Sequence, residues 1–76
     1  MTELYTVIAE VMRIPEEEIS DTFSMSNSDA WDSLKHMELI VSIESTFNVT
    51  LSADDIVEMI NIIGIKQILK SKGAIL

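Results

Sequence analysis

The sequence predicts an all-α fold: a small four-helix bundle of three main helices and one short helix, with a long loop between helices 1 and 2. Three observations carry this. Apolar residues recur at helical spacing along most of the chain, and Val and Ile follow that spacing rather than the alternation of a strand. The apolar residues are mainly Ile, Leu, Val and Met, with Tyr5, Phe23, Trp31 and Phe47 as the aromatics, a set suited to helices packed on helices. At 76 residues one domain, 1–76, is expected, able to bury only ~60% of the surface of the unfolded chain.

The elements follow in order. Leu4, Val7, Ile8 and Val11 recur at i, i+3, i+4 and i+7, predicting a first helix over 3–12 with Thr2 as its cap. Pro15 ends it by disfavouring helical backbone at Ile14, and opens a short turn through Glu18. Residues 20–31, SDTFSMSNSDAW, hold no sustained helical period and read as a long surface loop pinned by Phe23 and Trp31. Loops of that length in a small domain are more often functional than accidental. From Ser33 to Phe47 the residues Leu34, Met37, Leu39, Ile40, Val41, Ile43 and Phe47 cover a very wide arc, predicting a central helix packed on more than one side. Asn48 to Thr50 end it, and Leu51 turns inward. Ser52-Ala53-Asp54-Asp55 resembles a capping box and opens a short helix through Val57, Met59 and Ile60. Asn61 caps a last helix containing Ile62, Ile65, Ile68 and Leu69, which ends near Ser71-Lys72-Gly73 with Lys70 and Lys72 in the favourable last turn.

Composition excludes several classes of function. No cysteine is present, so neither disulfides nor thiolate metal sites can form, and the single histidine cannot build an imidazole cluster. No metal is expected. Thirteen acidic against five basic residues give a net charge of −8, which opposes binding to nucleic acid or anionic membranes and favours basic protein partners. The start lacks the pattern of a signal peptide, and no apolar run approaches a membrane span, so a cytoplasmic monomer is expected. A calcium loop is disfavoured because residues 21–32 lack the alternating oxygen ligands and central glycine.

Asp32-Ser33-Leu34 is the one unusual constellation. Asp32 or Ser33 can simply cap the central helix. Yet the hydroxyl lies at a helix start, where free N–H groups and the dipole favour an attached phosphate, and the long loop leaves it accessible. Ser33, His36 and Asp32 are also the residue types of a nucleophilic triad. All three come from about one turn of one helix, however, which does not let the histidine stand between the other two. His36 projects onto the apolar arc beside Leu39 and Ile43, and its expected role is a partly buried ring with a local hydrogen bond.

Asp32-Ser33-Leu34, followed by Glu38-Leu39 and a helix ending in Phe47, resembles the phosphopantetheine attachment motif of acyl carrier proteins, and the likeness extends over nearly the whole chain. It implies a carrier, not an enzyme. Ser33 would receive 4'-phosphopantetheine from coenzyme A by a phosphopantetheinyl transferase, and the arm's thiol would hold an acyl group as a thioester. Implied partners are that transferase, a loading ligase or transferase, and acyl-processing enzymes with basic patches. The positions matching the family's recognition surface are Asp32, Leu34, Lys35, Met37, Glu38, Glu44, Asp54, Asp55 and Glu58. Met37, Val41, Ile56 and Met59 are candidate walls for an interior acyl-chain cavity.

Lys35 stands where the fatty acid synthesis pattern usually has aspartate, and Ser45, Thr46 and Asn48 replace its often acidic helix end. Trp31-Asp32-Ser33-Leu34 with His36 is instead similar to discrete carriers of specialised pathways, including some that carry amino acids, and a free-standing carrier without a transit peptide is expected to be bacterial. Fatty acyl, polyketide and aminoacyl or peptidyl cargo all stay open on the sequence, as does an unmodified helical interaction module in which Ser33 only caps.

Overall fold

The computed structural model describes residues 2–74, the Thr2 side chain excepted; the cap expected of Thr2 therefore lies outside the described residues. Four α-helices follow one another, α1 (Thr2–Met12), α2 (Ser33–Phe47), α3 (Ala53–Glu58) and α4 (Ile62–Ser71), and no strand occurs among the described residues. The expected four-helix class and the long connection between α1 and α2 are both present. The ends follow local chemistry. Helix α1 closes through Arg13 at φ 59°, with the Ile14 N–H donating to the Ala9 carbonyl at 3.2 Å. Asn48, a residue that tolerates the left-handed conformation, takes the same role after α2 at φ 55°. Ser52 and Asp55 form the reciprocal capping box of α3, and the Asn61 carboxamide oxygen accepts from the Gly64 N–H to open α4.

One apolar core joins the helices. Leu4 and Ile8 of α1, Leu39 and Ile43 of α2, and Ile62, Ile65 and Leu69 of α4 are all fully buried. Met59, just beyond α3, is buried with them; α3 itself buries no residue completely, and its helix stops at Glu58 rather than running through Ile60. A six-residue helix has little stability of its own, so α3 depends on ties to its neighbours.

The long loop is more built than its composition suggests. It holds a 3₁₀ turn at Met25–Asn27, closed by a capping box between Ser24 and Asn27. The Met25 N–H donates to the Ile60 carbonyl at 2.9 Å and the Ile62 N–H to the Phe23 carbonyl at 3.1 Å, an isolated bridge that lashes the loop to the entry of α4. Near its start, Asp21 accepts from the Tyr5 hydroxyl at 2.8 Å and the Lys66 ammonium at 2.7 Å. The bonds from Lys66 and Tyr5 hold the Asp21 carboxyl below its ordinary range, and bonds to Asp21 and, at 2.8 Å, to the Tyr5 hydroxyl hold the Lys66 ammonium above its own. At its end Trp31 is only 1% exposed and stacks on Phe23, ring centroids 5.5 Å apart.

Helices α3 and α4 run back against each other. The start of α3 meets the end of α4 through an Asp55 to Lys72 ion pair at 2.9 Å, while the Glu58 carbonyl sits over Gly64 in the first turn of α4. A methyl group on Gly64 would stand 2.6 Å from that carbonyl oxygen. Gly64→Ala should therefore cost roughly 1–3 kcal/mol by forcing the backbones apart, overriding the ~1 kcal/mol that alanine normally adds to a helix. Urea unfolding checks this; a variant as stable as the parent would contradict the close approach.

Candidate phosphopantetheine attachment site

The start of α2 divides its tasks between two neighbouring residues. Asp32 is the cap: its carboxylate accepts from the Lys35 N–H at 2.9 Å, and its carbonyl takes the first helical bond from His36. The Ser33 hydroxyl is exposed and bonds to no side chain or backbone group among the described residues. Of the two candidate caps, the carboxylate does the capping. The Ser33 and Leu34 N–H groups, first in the helix, have no carbonyl partner within it, so this end of α2 combines a free hydroxyl with free donors and the positive end of the helix dipole.

Around Ser33 the outer side of α2 is apolar. Leu34 is 69% exposed, Met37 51% and Val41 63%, and with Val11 of α1 they line an open groove edged by Glu38 and Ser42. This corrects the expectation of a helix packed on more than one side. The wide arc is two faces: His36, Leu39, Ile40 and Ile43 enter the core, whereas Leu34, Met37 and Val41 are left to solvent. The four candidate cavity walls are likewise not brought together. Met37 and Val41 stand outside the core, Ile56 is half-buried, and Met59 is fully buried.

The acidic positions also separate. Asp32, Glu38, Asp54 and Glu58 are exposed. Lys35 pairs with Glu38 at 3.3 Å, so its positive charge is turned along α2. Glu44 and Asp55 work inside the fold: the Glu44 carboxylate accepts from the Leu51 N–H at 2.9 Å, fixing the chain after α2, and Asp55 joins the α3 cap to Lys72. Bonding to the Lys72 ammonium and the Ser52 N–H holds the Asp55 carboxyl down at about 2. His36 is buried and has the local bond expected of it, accepting the Trp31 indole N–H at 3.1 Å, and its ring also reaches the Ile56 carbonyl, twenty residues away, at 2.9 Å. Among the described residues no group of three or more His, Cys, Asp or Glu could hold a metal ion, and no helix is long and apolar enough to cross a membrane.

A free serine hydroxyl at a helix start, in a small helical bundle, fits a carrier protein, and the comparisons give that class. The family model described as "Phosphopantetheine attachment site" matches residues 2–68, and the chain belongs to that family. It is similar to acyl carrier proteins. Polyketide-8 synthase acyl carrier protein 1 of Streptomyces avermitilis is 25% identical over 63 residues, covering 83% of this chain and 75% of that protein. The solution structure of a holo acyl carrier protein from Geobacter metallireducens superposes with a TM-score of 0.80 at 26% identity, over 91% of this chain and 79% of that one. The group this family holds covalently is phosphopantetheine, and an exposed hydroxyl beside unpaired N–H groups is chemically suited to a phosphodiester.

Two expectations follow from the division of labour at the helix start and from the α3 cap. Asp32→Ala should lower stability by about 1 kcal/mol, while Ser33→Ala should change it by less than ~0.5 kcal/mol; equal losses in chemical unfolding would return the cap to Ser33. Because the Asp55 pKa is lowered on folding, its ion pair stabilises the protein above the ordinary carboxylate range of about 4 and is lost as pH falls toward about 2. Lys72→Ala should thus unfold at a higher pH than the parent on acidification, the two curves converging near pH 2; coincident acid transitions by circular dichroism would contradict this.

Proposed function

We propose that Ser33 is the attachment residue, and that the chain, as a single carrier domain, presents an acyl group to the enzymes of a specialised pathway. The observation that carries this is the Asp32 cap: because the carboxylate closes the helix, the Ser33 oxygen is free to be modified without loss of structure. Attachment joins the Ser33 oxygen to the phosphate of the phosphopantetheinyl group, breaks the pyrophosphate bond of coenzyme A so that adenosine 3',5'-bisphosphate leaves with the bridging oxygen, and passes the hydroxyl proton to the transferase or solvent. The arm, when bound, supplies the thiol that the protein lacks and holds the acyl group as a thioester.

The protein's own residues supply placement and recognition. The first-turn N–H groups and the helix dipole favour the phosphodiester charge. Asp32, Glu38, Asp54 and Glu58 present exposed negative charge to basic partners, which chiefly speeds and orients encounter. Leu34, Met37 and Val41 add an apolar strip beside the arm, of the kind that marks a protein-binding surface. A reaction on the carried group is left to those partners. Polyketide chemistry is favoured over fatty acid synthesis by the Streptomyces relative and by Lys35, whose pairing with Glu38 weakens the negative field next to Ser33.

Incubation with coenzyme A and a broad-specificity phosphopantetheinyl transferase should add the mass of one phosphopantetheinyl group, and Ser33→Ala should abolish the gain while remaining folded. A mass gain that survives Ser33→Ala, or none in the parent, would overturn the assignment.

A further inference from the structure

We infer that His36 is a positioning residue: it holds α3 and the end of the loop at a fixed offset from Ser33, so that the surface a modifying enzyme reads is assembled before that enzyme arrives. This rests on the reading of Ser33 as the attachment residue. His36 lies three positions beyond Ser33 on α2, on the inward face, at 8% exposure. Both ring nitrogens are bonded. Trp31 Nε1 donates to Nδ1 at 3.1 Å from the last core residue of the loop, and Nε2 meets the Ile56 carbonyl of α3 at 2.9 Å.

The chemistry of these partners permits one form of the ring. An indole N–H can only donate and a carbonyl oxygen can only accept, so Nδ1 carries the lone pair and Nε2 the proton. The opposite tautomer would set N–H against N–H and turn a lone pair toward the Ile56 oxygen. An imidazolium would also place an N–H against Trp31. The hydrogen-bond geometry thus calls for the Nε2–H form of the ring, which joins three segments.

Helix α3 needs such a connector. It buries no residue completely, is too short to persist alone, and is held by polar ties at His36 and Lys72, by the half-buried Ile56 side chain packed on the core, and by the buried Met59 that follows it. It also carries Asp54 and Glu58, two of the four exposed acidic groups offered to partners. Core packing of Ile56 and Met59 seats α3, and the polar tie that fixes its offset from the start of α2 is the Ile56 carbonyl bond to His36, since Lys72 lies on α4. An enzyme that engages α2 and α3 together gains affinity from this arrangement being preformed.

Two measurements test it. In the ¹⁵N-labelled parent at neutral pH, the two- and three-bond ¹H–¹⁵N correlations of the ring should show one neutral Nε2–H imidazole; an Nδ1–H tautomer or an imidazolium overturns the inference. In steady-state modification by a broad-specificity phosphopantetheinyl transferase, His36→Phe, shown folded by circular dichroism, should raise the KM for the carrier roughly fivefold or more, the factor one net hydrogen bond is worth, with kcat within about twofold. His36→Gln, whose amide both accepts and donates, should restore most of the KM. A folded His36→Phe protein with the parent's KM overturns the inference. If His36→Phe does not fold, His36→Gln decides: a retained KM supports the bonding role, and a raised KM with unmoved α3 amide resonances overturns it. Absence of modification in the parent is a failure of the Ser33 reading, and the imidazole tautomer then decides the positioning role by itself.

Discussion

Within two residues the chain passes from Trp31, sealed in the core, to Ser33, exposed at the start of α2. The rest of the structure depends on that abrupt step. Burying the indole against Phe23 ends the loop at a fixed point, and its N–H, which would be costly to leave unpaired, is satisfied by His36. Asp32 then turns the chain into the helix and closes its first turn. The serine has no structural bond left to make, and that freedom is what the proposed attachment residue requires.

Charge is distributed with a similar division. Some acidic side chains hold the fold: Asp21 anchors the loop to Tyr5 and Lys66, Glu44 fixes the chain beyond α2, and Asp55 binds the two ends of the α3 and α4 pair. Others, Asp32 at the start of α2 and Glu38 on it with Asp54 and Glu58 on α3, face solvent, where repulsion among them costs stability but favours basic partners. A small domain with no disulfide and a limited core thus uses part of its excess negative charge as internal bonding.

Much of this was legible in the sequence. The limits of α2 follow from Asp32 and Asn48, the α4 cap from Asn61, and the likeness to acyl carriers from Asp32-Ser33-Leu34 in its helical setting. What could not be read depended on distant partners. Helical periodicity merges Leu34, Met37 and Val41 with the core face because an apolar residue left exposed for docking has the same spacing as one that is buried. Glu44 and Asp55 look like surface charges until Leu51 and Lys72 are brought to them. His36 invites a local bond, which Trp31 supplies, but its second partner lies on a helix twenty residues on. The loop's own 3₁₀ turn and its bridge to Asn61 rest on backbone bonds that composition does not display.

The most direct test of the central claim is an amide ¹H–¹⁵N chemical-shift comparison of the protein before and after phosphopantetheinylation. A serine freed from capping can accept the arm without reorganising its helix. The largest changes should therefore fall on the Ser33 and Leu34 amides, with Lys35 still bonded to Asp32 and the Leu39 to Phe47 resonances nearly unmoved. Shifts spread along the whole of α2, or none in its first turn, would contradict the account.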